Sequence, residues 1–165
     1  MIRLRSLKER QETTTNDFVV VRSRTQLQLA AEARLDGVMI ITNDRIESFP
    51  EIGKLPRVIS IDCKFDYLSE GDIIGFHPTS RRFRTLYRRA SKHNSFLVTD
   101  RCNLYCLMCS QPPKNVDDRW ILGEIKTALR VIDKDTRSLG FTGGEPLLDW
   151  REFYGCVGYL PGRTA

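Results

Sequence analysis

Residues 96–110 read Phe96-Leu97-Val98-Thr99-Asp100-Arg101-Cys102-Asn103-Leu104-Tyr105-Cys106-Leu107-Met108-Cys109-Ser110. The first four residues form a short apolar run, which predicts a strand over 96–99. Three of the chain's five cysteines follow with the spacing C-x3-C-x2-C. The stretch therefore predicts a strand that ends in a cysteine loop.

A second motif lies further along the chain, where Gly143-Gly144-Glu145-Pro146 follows a predicted strand over 138–142 that ends in Phe141-Thr142. Between the two motifs, Asp117-Asp118 is a suitable N-cap pair for a helix. The apolar face of that helix is predicted to comprise Trp120, Ile121, Ile125, Ala128, Leu129 and Ile132. Strand, helix and strand make a βαβ unit with parallel strands, so both motifs should lie at carboxyl ends of strands, where α/β sites form.

The three loop cysteines have the chemistry of iron–sulfur ligands. Cysteine thiolates are the usual ligands of such clusters, and three of them can hold three irons of a [4Fe–4S] cube. The fourth iron would then have no protein ligand from this loop. An open metal position can bind substrate, so the loop is where we expect the chemistry.

C-x3-C-x2-C followed by G-G-E-P resembles the radical S-adenosylmethionine (SAM) enzymes, in which a [4Fe–4S] cluster reductively cleaves S-adenosyl-L-methionine. The longer run Tyr87-Arg88-Arg89-Ala90-Ser91, Asn94-Ser95 and Thr99 to Pro113 is most similar to the radical SAM maturases of His-Xaa-Ser peptide-modification systems. The resemblance implies an α/β fold that begins a radical-SAM-type (βα) partial barrel.

The resemblance also implies roles for individual residues. Cys102, Cys106 and Cys109 would each ligate one iron, and the amino and carboxylate groups of SAM would chelate the fourth. The SAM-binding residues would come from the second motif and from Met108. Gly143 and Gly144 would let the backbone approach the ligand, Glu145 would accept a hydrogen bond from the SAM ammonium, and Pro146 would stiffen the turn. Met108 would pack near the adenine, at a position where many relatives carry an aromatic residue.

The implied activity is cleavage of SAM to a 5′-deoxyadenosyl radical that abstracts hydrogen from a peptide. The implied partners are a peptide substrate, which the resemblance suggests is of the His-Xaa-Ser repeat type, and an electron-donor protein. The resemblance also allows a second maturase as a partner.

Two alternatives stay open. A zinc-binding module would need four protein ligands, and among the cysteines only Cys63 or Cys156 could complete the set. A non-catalytic cluster- or peptide-binding remnant is the other. A disulfide framework does not fit the odd cysteine count and the lack of a secretory signal.

Residues 1–92 predict a β-rich α+β domain, built from several short strands with close turns and one helix over 25–35 that stops at Asp36-Gly37. Residues 93–165 are then the start of the radical SAM domain. Only about one and a half βα units of ~30 residues fit there, so we expect an incomplete barrel with low or no activity. The segment 155–165 shows no helical period, and we interpret Cys156 as accidental rather than a ligand.

Composition sets the remaining limits. The chain has 41% hydrophobic and 28% charged residues, the balance of a globular protein. No apolar run reaches the ~18 residues of a membrane span, and the N-terminus lacks the apolar core of a signal peptide, so we expect a cytoplasmic protein without a membrane partner. The net charge is +5, and its densest basic patch, over 81–92, has few interleaved aromatic residues. We therefore do not expect a nucleic-acid partner.

Overall fold

The structure is a computed structural model that describes residues 17–35, 37–41, 50–61, 63–77 and 82–158. These residues form seven strands and three α-helices. The chain divides into two compact units between Ala90 and Ser91. The α/β class that the sequence predicts is confirmed.

The first unit is built on one mixed sheet of five strands in the order β3-β2-β1-β4-β5. Strands β1, β2 and β3 are parallel, whereas β4 is antiparallel to both β1 and β5. The strands and the helix between β1 and β2 are β1 (Asp17–Val21), α1 (Arg24–Glu32), β2 (Val38–Ile41), β3 (Val58–Ile61), β4 (Ile73–His77) and β5 (Arg82–Tyr87).

The parallel strands differ from the close turns that we predicted for this unit. Parallel neighbours need a crossover, and α1 provides it between β1 and β2. The helix begins with a capping box at Ser23 and Gln26 and ends at Glu32 rather than at Leu35. Arg34 adopts a φ of 52°, so the chain leaves the helix before the predicted stop at Asp36-Gly37.

Some of the predicted features lie outside the described residues. They are the polar segment 1–16, the turn at Asn43-Asp44, most of the turn at 77–80 and the final residues 159–165. A 3-10 helix occupies Pro50–Lys54, between β2 and β3.

Both faces of the five-stranded sheet are covered, and alternation along β2 shows this directly. Val38 and Ile40 pack with α1 on one face, whereas Met39 and Ile41 pack on the other face with Phe18. Because successive side chains of a strand point to opposite faces, a strand buried on both sides is apolar throughout. The sequence Val-Met-Ile-Ile has that pattern.

The second unit pairs two parallel strands, as the βαβ pattern predicts. Phe96 lies opposite Phe141 in the register, and the two rings stack with their centroids 6.1 Å apart. Among the described residues, neither strand has a second partner on its outer edge. The elements are β6 (Asn94–Thr99), α2 (Trp120–Leu129), β7 (Leu139–Gly143) and α3 (Trp150–Val157).

Two details of α2 correct the sequence prediction. The N-cap residue is Arg119, not the Asp117-Asp118 pair, because Asp117 binds Arg119 and Asp118 binds the end of β6. The predicted buried face is confirmed except at its first residue: Trp120 is 54% exposed, and Leu122 is buried in addition to the predicted residues. The predicted residues that are buried are Ile121, Ile125, Ala128, Leu129 and Ile132.

Helix α3 also differs from the prediction. Gly155, Cys156 and Val157 continue the helix, although their sequence shows no helical period. The side chain of Cys156 is buried, and its thiol donates to the carbonyl oxygen of Leu122 at 3.6 Å, so this residue is part of the packing between α3 and α2. In the described part of the chain, the helices are too short and too polar to cross a membrane.

One charged residue is buried in the first unit without hydrogen bonds to its carboxylate. Asp17, at the start of β1, is 4% exposed, and neither of its carboxylate oxygens accepts a hydrogen bond from the described residues. Burial raises the pKa of Asp17 to about 7, although the charges of Arg84 and Arg57 oppose the shift. The folded chain thus holds this proton over a pH range in which the unfolded chain has lost it.

The raised pKa of Asp17 predicts how the free energy of unfolding depends on pH. A carboxyl whose pKa is higher in the folded state contributes stability at low pH that is lost as the pH rises from about 4 to about 7. We expect Asp17→Asn to remove this dependence, changing the pH 5 to pH 8 difference in unfolding free energy by about 2.5 kcal/mol. Urea unfolding at both pH values measures it.

The matched control for this test is Asp66→Asn, since Asp66 is exposed and its carboxylate pairs with Arg22 at 3.1 Å. That variant should keep the pH dependence of the wild type. Equal pH dependence in Asp17→Asn and the wild type would contradict the assignment.

Candidate functional site: the cysteine loop and the glycine-glutamate turn

The cysteine loop, residues 102–113, leaves the carboxyl end of β6. Cys102 is half-buried, whereas Cys106 and Cys109 are exposed. The amide of Cys109 donates to the carbonyl oxygen of Cys106 at 3.0 Å, so these two residues share one turn. All three cysteines are free thiols. The loop is therefore an accessible, thiol-rich segment held at its first cysteine.

The glycine-glutamate turn, residues 143–146, lies directly against the base of this loop. The amide of Gly144 donates to the carbonyl oxygen of Thr99 at 2.8 Å, and the amide of Glu145 donates to that of Arg101 at 2.9 Å. The two motifs, about forty residues apart in sequence, thus meet at the same edge of the β6–β7 sheet, where parallel strands end. The structure brings the turn to the first cysteine.

Gly143 and Gly144 are required by this close approach. Gly143 has a φ of +142°, and a Cβ there would lie 2.2 Å from the carbonyl oxygen of Thr99. A Cβ on Gly144 would lie 2.1 Å from the carbonyl oxygen of Arg101. A Cβ atom cannot lie that close to a backbone oxygen. Both positions therefore require glycine for the contact between turn and loop, in addition to the approach of a ligand that the resemblance implies.

The remaining predicted SAM-binding residues lie around the turn and the loop. Glu145 is half-buried, and one of its carboxylate oxygens accepts a hydrogen bond from the amide of Leu147 at 3.0 Å. Pro146 is half-buried beside it. Met108 lies in the loop and is 88% exposed. Glu145 thus has one carboxylate oxygen engaged within its own turn.

A buried carboxylate organises the base of the loop. Asp118 is 4% exposed and accepts hydrogen bonds from the hydroxyl of Thr99 at 2.8 Å, the amide of Asp100 at 2.6 Å and Nε of Arg101 at 2.8 Å. Burial by itself would raise the pKa of Asp118, but these three hydrogen bonds lower it below its usual range. Asp118 is therefore held as a carboxylate.

Arg101 extends the same network to α3. Its guanidinium donates to Asp149, the N-cap residue of α3, as well as to Asp118. The hydrogen bonds to Asp149 and then to Asp118 raise the pKa of Arg101. The arginine next to Cys102 thus connects the start of the cysteine loop with the helix that follows the glycine-glutamate turn.

The sequence does not indicate this network. Its pattern predicts Asp118 as an N-cap residue and indicates no role for Arg101 or Asp149. The available signal was weak: an arginine adjoins the first cysteine, and an aspartate precedes each of the two following helices. Such charges are common at helix starts and do not indicate a shared partner.

The donor chemistry of the loop fits an iron–sulfur cluster. Three thiols on one short segment are suitable ligands, and each ligand of a cluster binds a different iron, so they need not converge on one point. Across the described ranges, no three Cys, His, Asp or Glu side chains are placed to hold a single metal ion. Cys156 lies in the packing between α3 and α2 and is not placed as a fourth zinc ligand, whereas the side chain of Cys63 lies outside the described part of the chain.

Comparison with known proteins finds an uncharacterised archaeal relative but no family. No protein-family model and no solved structure matches the chain. An uncharacterised protein of Methanocaldococcus jannaschii is 38% identical over 73 residues, which are 41% of this chain and 24% of that protein. The match thus spans about a quarter of the length of the archaeal relative.

The close approach at Gly144 leads to a stability prediction. We expect Gly144→Ala to lower the unfolding free energy by about 2–3 kcal/mol, since the new methyl group would overlap the carbonyl of Arg101. Gly123→Ala is the matched control, because Gly123 lies within α2 with open space around it. That control should raise the unfolding free energy by up to about 1 kcal/mol. Denaturant unfolding compares both, and equal stability of the two variants would contradict the geometry.

Proposed function

We propose that this chain carries the cluster-binding unit of a radical SAM enzyme of the peptide-maturase type, with the first βαβ unit of a radical-SAM-type partial barrel. In this proposal Cys102, Cys106 and Cys109 hold a [4Fe–4S] cluster, and residues 143–146 with Met108 border S-adenosyl-L-methionine. The protein would act in the cytoplasm on a peptide substrate, with an electron-donor protein as a partner.

One observation carries the proposal. The glycine-glutamate turn donates two backbone hydrogen bonds to residues 99 and 101, immediately before the first cysteine. A cofactor that contacts both a cysteine-bound cluster and this turn needs the two motifs side by side. Parallel pairing already brings the two strand ends to one edge of the sheet. The two hydrogen bonds add a direct contact between the turn and the base of the cysteine loop, and that contact supports a common site.

The residues of the chain supply position and access. Cys106 and Cys109 are exposed, so their thiols can reach a ligand without refolding of the sheet. The half-buried Glu145 keeps its second carboxylate oxygen available to an ammonium group, while its first holds the turn. When bound, the cluster would supply the electron that cleaves SAM and yields the 5′-deoxyadenosyl radical.

The apolar loop residues support a bound cofactor. Tyr105 and Leu107 are 87% and 103% exposed, and Met108 is almost as exposed. Exposed large apolar side chains that lie next to each other mark surfaces that a ligand or partner covers. A cluster with its nucleotide beside the loop would remove part of this surface from water.

The cluster assignment predicts a metal content. Anaerobic reconstitution with iron and sulfide should give about four irons per chain, with the visible absorption of a sulfide-bridged cluster. The triple variant Cys102→Ala/Cys106→Ala/Cys109→Ala should lose it, because those thiols are its proposed ligands. Iron and acid-labile sulfide analysis measure the content.

Cys156→Ala is the matched control and should keep the full iron content, since Cys156 is buried between α3 and α2. One retained zinc per chain without sulfide absorption would establish the zinc module instead. A complete cluster whose electron paramagnetic resonance spectrum does not respond to SAM would favour the non-catalytic alternative, because low or no SAM cleavage is expected of the incomplete barrel in either case.

A further inference from the structure

Charged residues that follow the cysteine loop in sequence bind residues that precede it, and these contacts hold the two ends of the loop together. Asp118 accepts hydrogen bonds from Thr99, Asp100 and Arg101, and Nζ of Lys114 lies 3.2 Å from a carboxylate oxygen of Asp100. The Lys114 pair is half exposed, whereas the Asp118 side chain is 6% exposed. Because buried charged hydrogen bonds are stronger than exposed ion pairs, Asp118 dominates this closure.

The acceptors for the glycine-glutamate turn belong to the same short segment. Asp118 fixes residues 99–101 through their side chains and one amide, while the carbonyls of Thr99 and Arg101 receive the amides of Gly144 and Glu145. Arg101 also donates to Asp149, just beyond the turn. The segment 99–101 is thus held from one side by Asp118 and holds the turn on the other.

We infer that Asp118 is a positioning residue that holds the first cluster cysteine and the glycine-glutamate turn in register, through Thr99 and Arg101. This inference rests on the proposed function and adds to it a residue outside both motifs. Asp118 touches neither cluster nor nucleotide in this scheme. It keeps the two binding elements at a fixed separation, so that a cofactor bridging them does not have to order the loop base on binding.

Hydrogen exchange on the metal-free chain tests the register directly. The amides of Gly144 and Glu145 should be protected in the wild type and should exchange about tenfold faster in Asp118→Ala, since lost hydrogen bonds to a charged group change an equilibrium by at least that factor. The amide of Ile132, bonded to the carbonyl of Ala128 at 3.1 Å, reports whether the second unit remains folded.

Two further variants sharpen the test. Asp117→Ala is the matched control, since Asp117 is exposed and binds Arg119, and it should leave both turn amides protected. Asp118→Asn keeps an oxygen for Thr99 and the Asp100 amide but loses the charge opposite Arg101, so its exchange should be intermediate. If the Ile132 amide also exchanges faster in Asp118→Ala, the second unit of that variant is no longer stably folded, and Asp118→Asn provides the test instead. Turn amides that exchange as slowly in Asp118→Asn as in Asp117→Ala would then overturn the inference.

The reconstituted proteins provide the second readout. Asp118→Ala should keep the iron content of the wild type but require about tenfold more SAM to change the electron paramagnetic resonance spectrum of the reduced cluster. Equal SAM requirements in Asp118→Ala and Asp117→Ala would overturn the inference. If the wild type assembles no cluster, the proposed function fails, while the exchange data on the metal-free chain still decide whether Asp118 sets the register.

Discussion

The second unit depends on a carboxylate that has been removed from water. An isolated buried charge is expensive, so Asp118 can occupy its position only while donors surround it. Thr99, Asp100 and Arg101 supply those donors, and together they form the segment that leads into Cys102. The electrostatic requirement of one side chain thereby fixes the backbone from which the cysteine loop departs.

The glycines of the turn provide the complementary constraint. Carbonyl oxygens of Thr99 and Arg101 occupy the space where side chains of residues 143 and 144 would stand. Attraction at Asp118 and the absence of Cβ atoms at the turn act on the same three-residue segment from opposite sides. By contrast, Tyr105 and Leu107, further along the loop, are left in solvent. The loop therefore has an ordered base and an uncovered tip.

Local patterns predicted most strands and the parallel pair, because alternation and connection length are properties of neighbouring residues. They failed where distant partners decide. Asp118 satisfies the N-cap rule equally well, but donors 17 to 19 residues earlier take its carboxylate, and α2 begins later. The contact between loop and turn was expected from topology, whereas its hydrogen bonds could not be read from spacing.

The parallel pairing of β6 and β7 has a kinetic consequence. Phe96 meets Phe141 only after the loop and α2 between them have been arranged, so this pair is a long-range contact with a considerable closure entropy. The bond between Thr99 and Asp118 spans less than half of that separation. We expect it to form earlier during folding and to shorten the remaining search, so that the residues placing the cysteines also speed the assembly of the sheet.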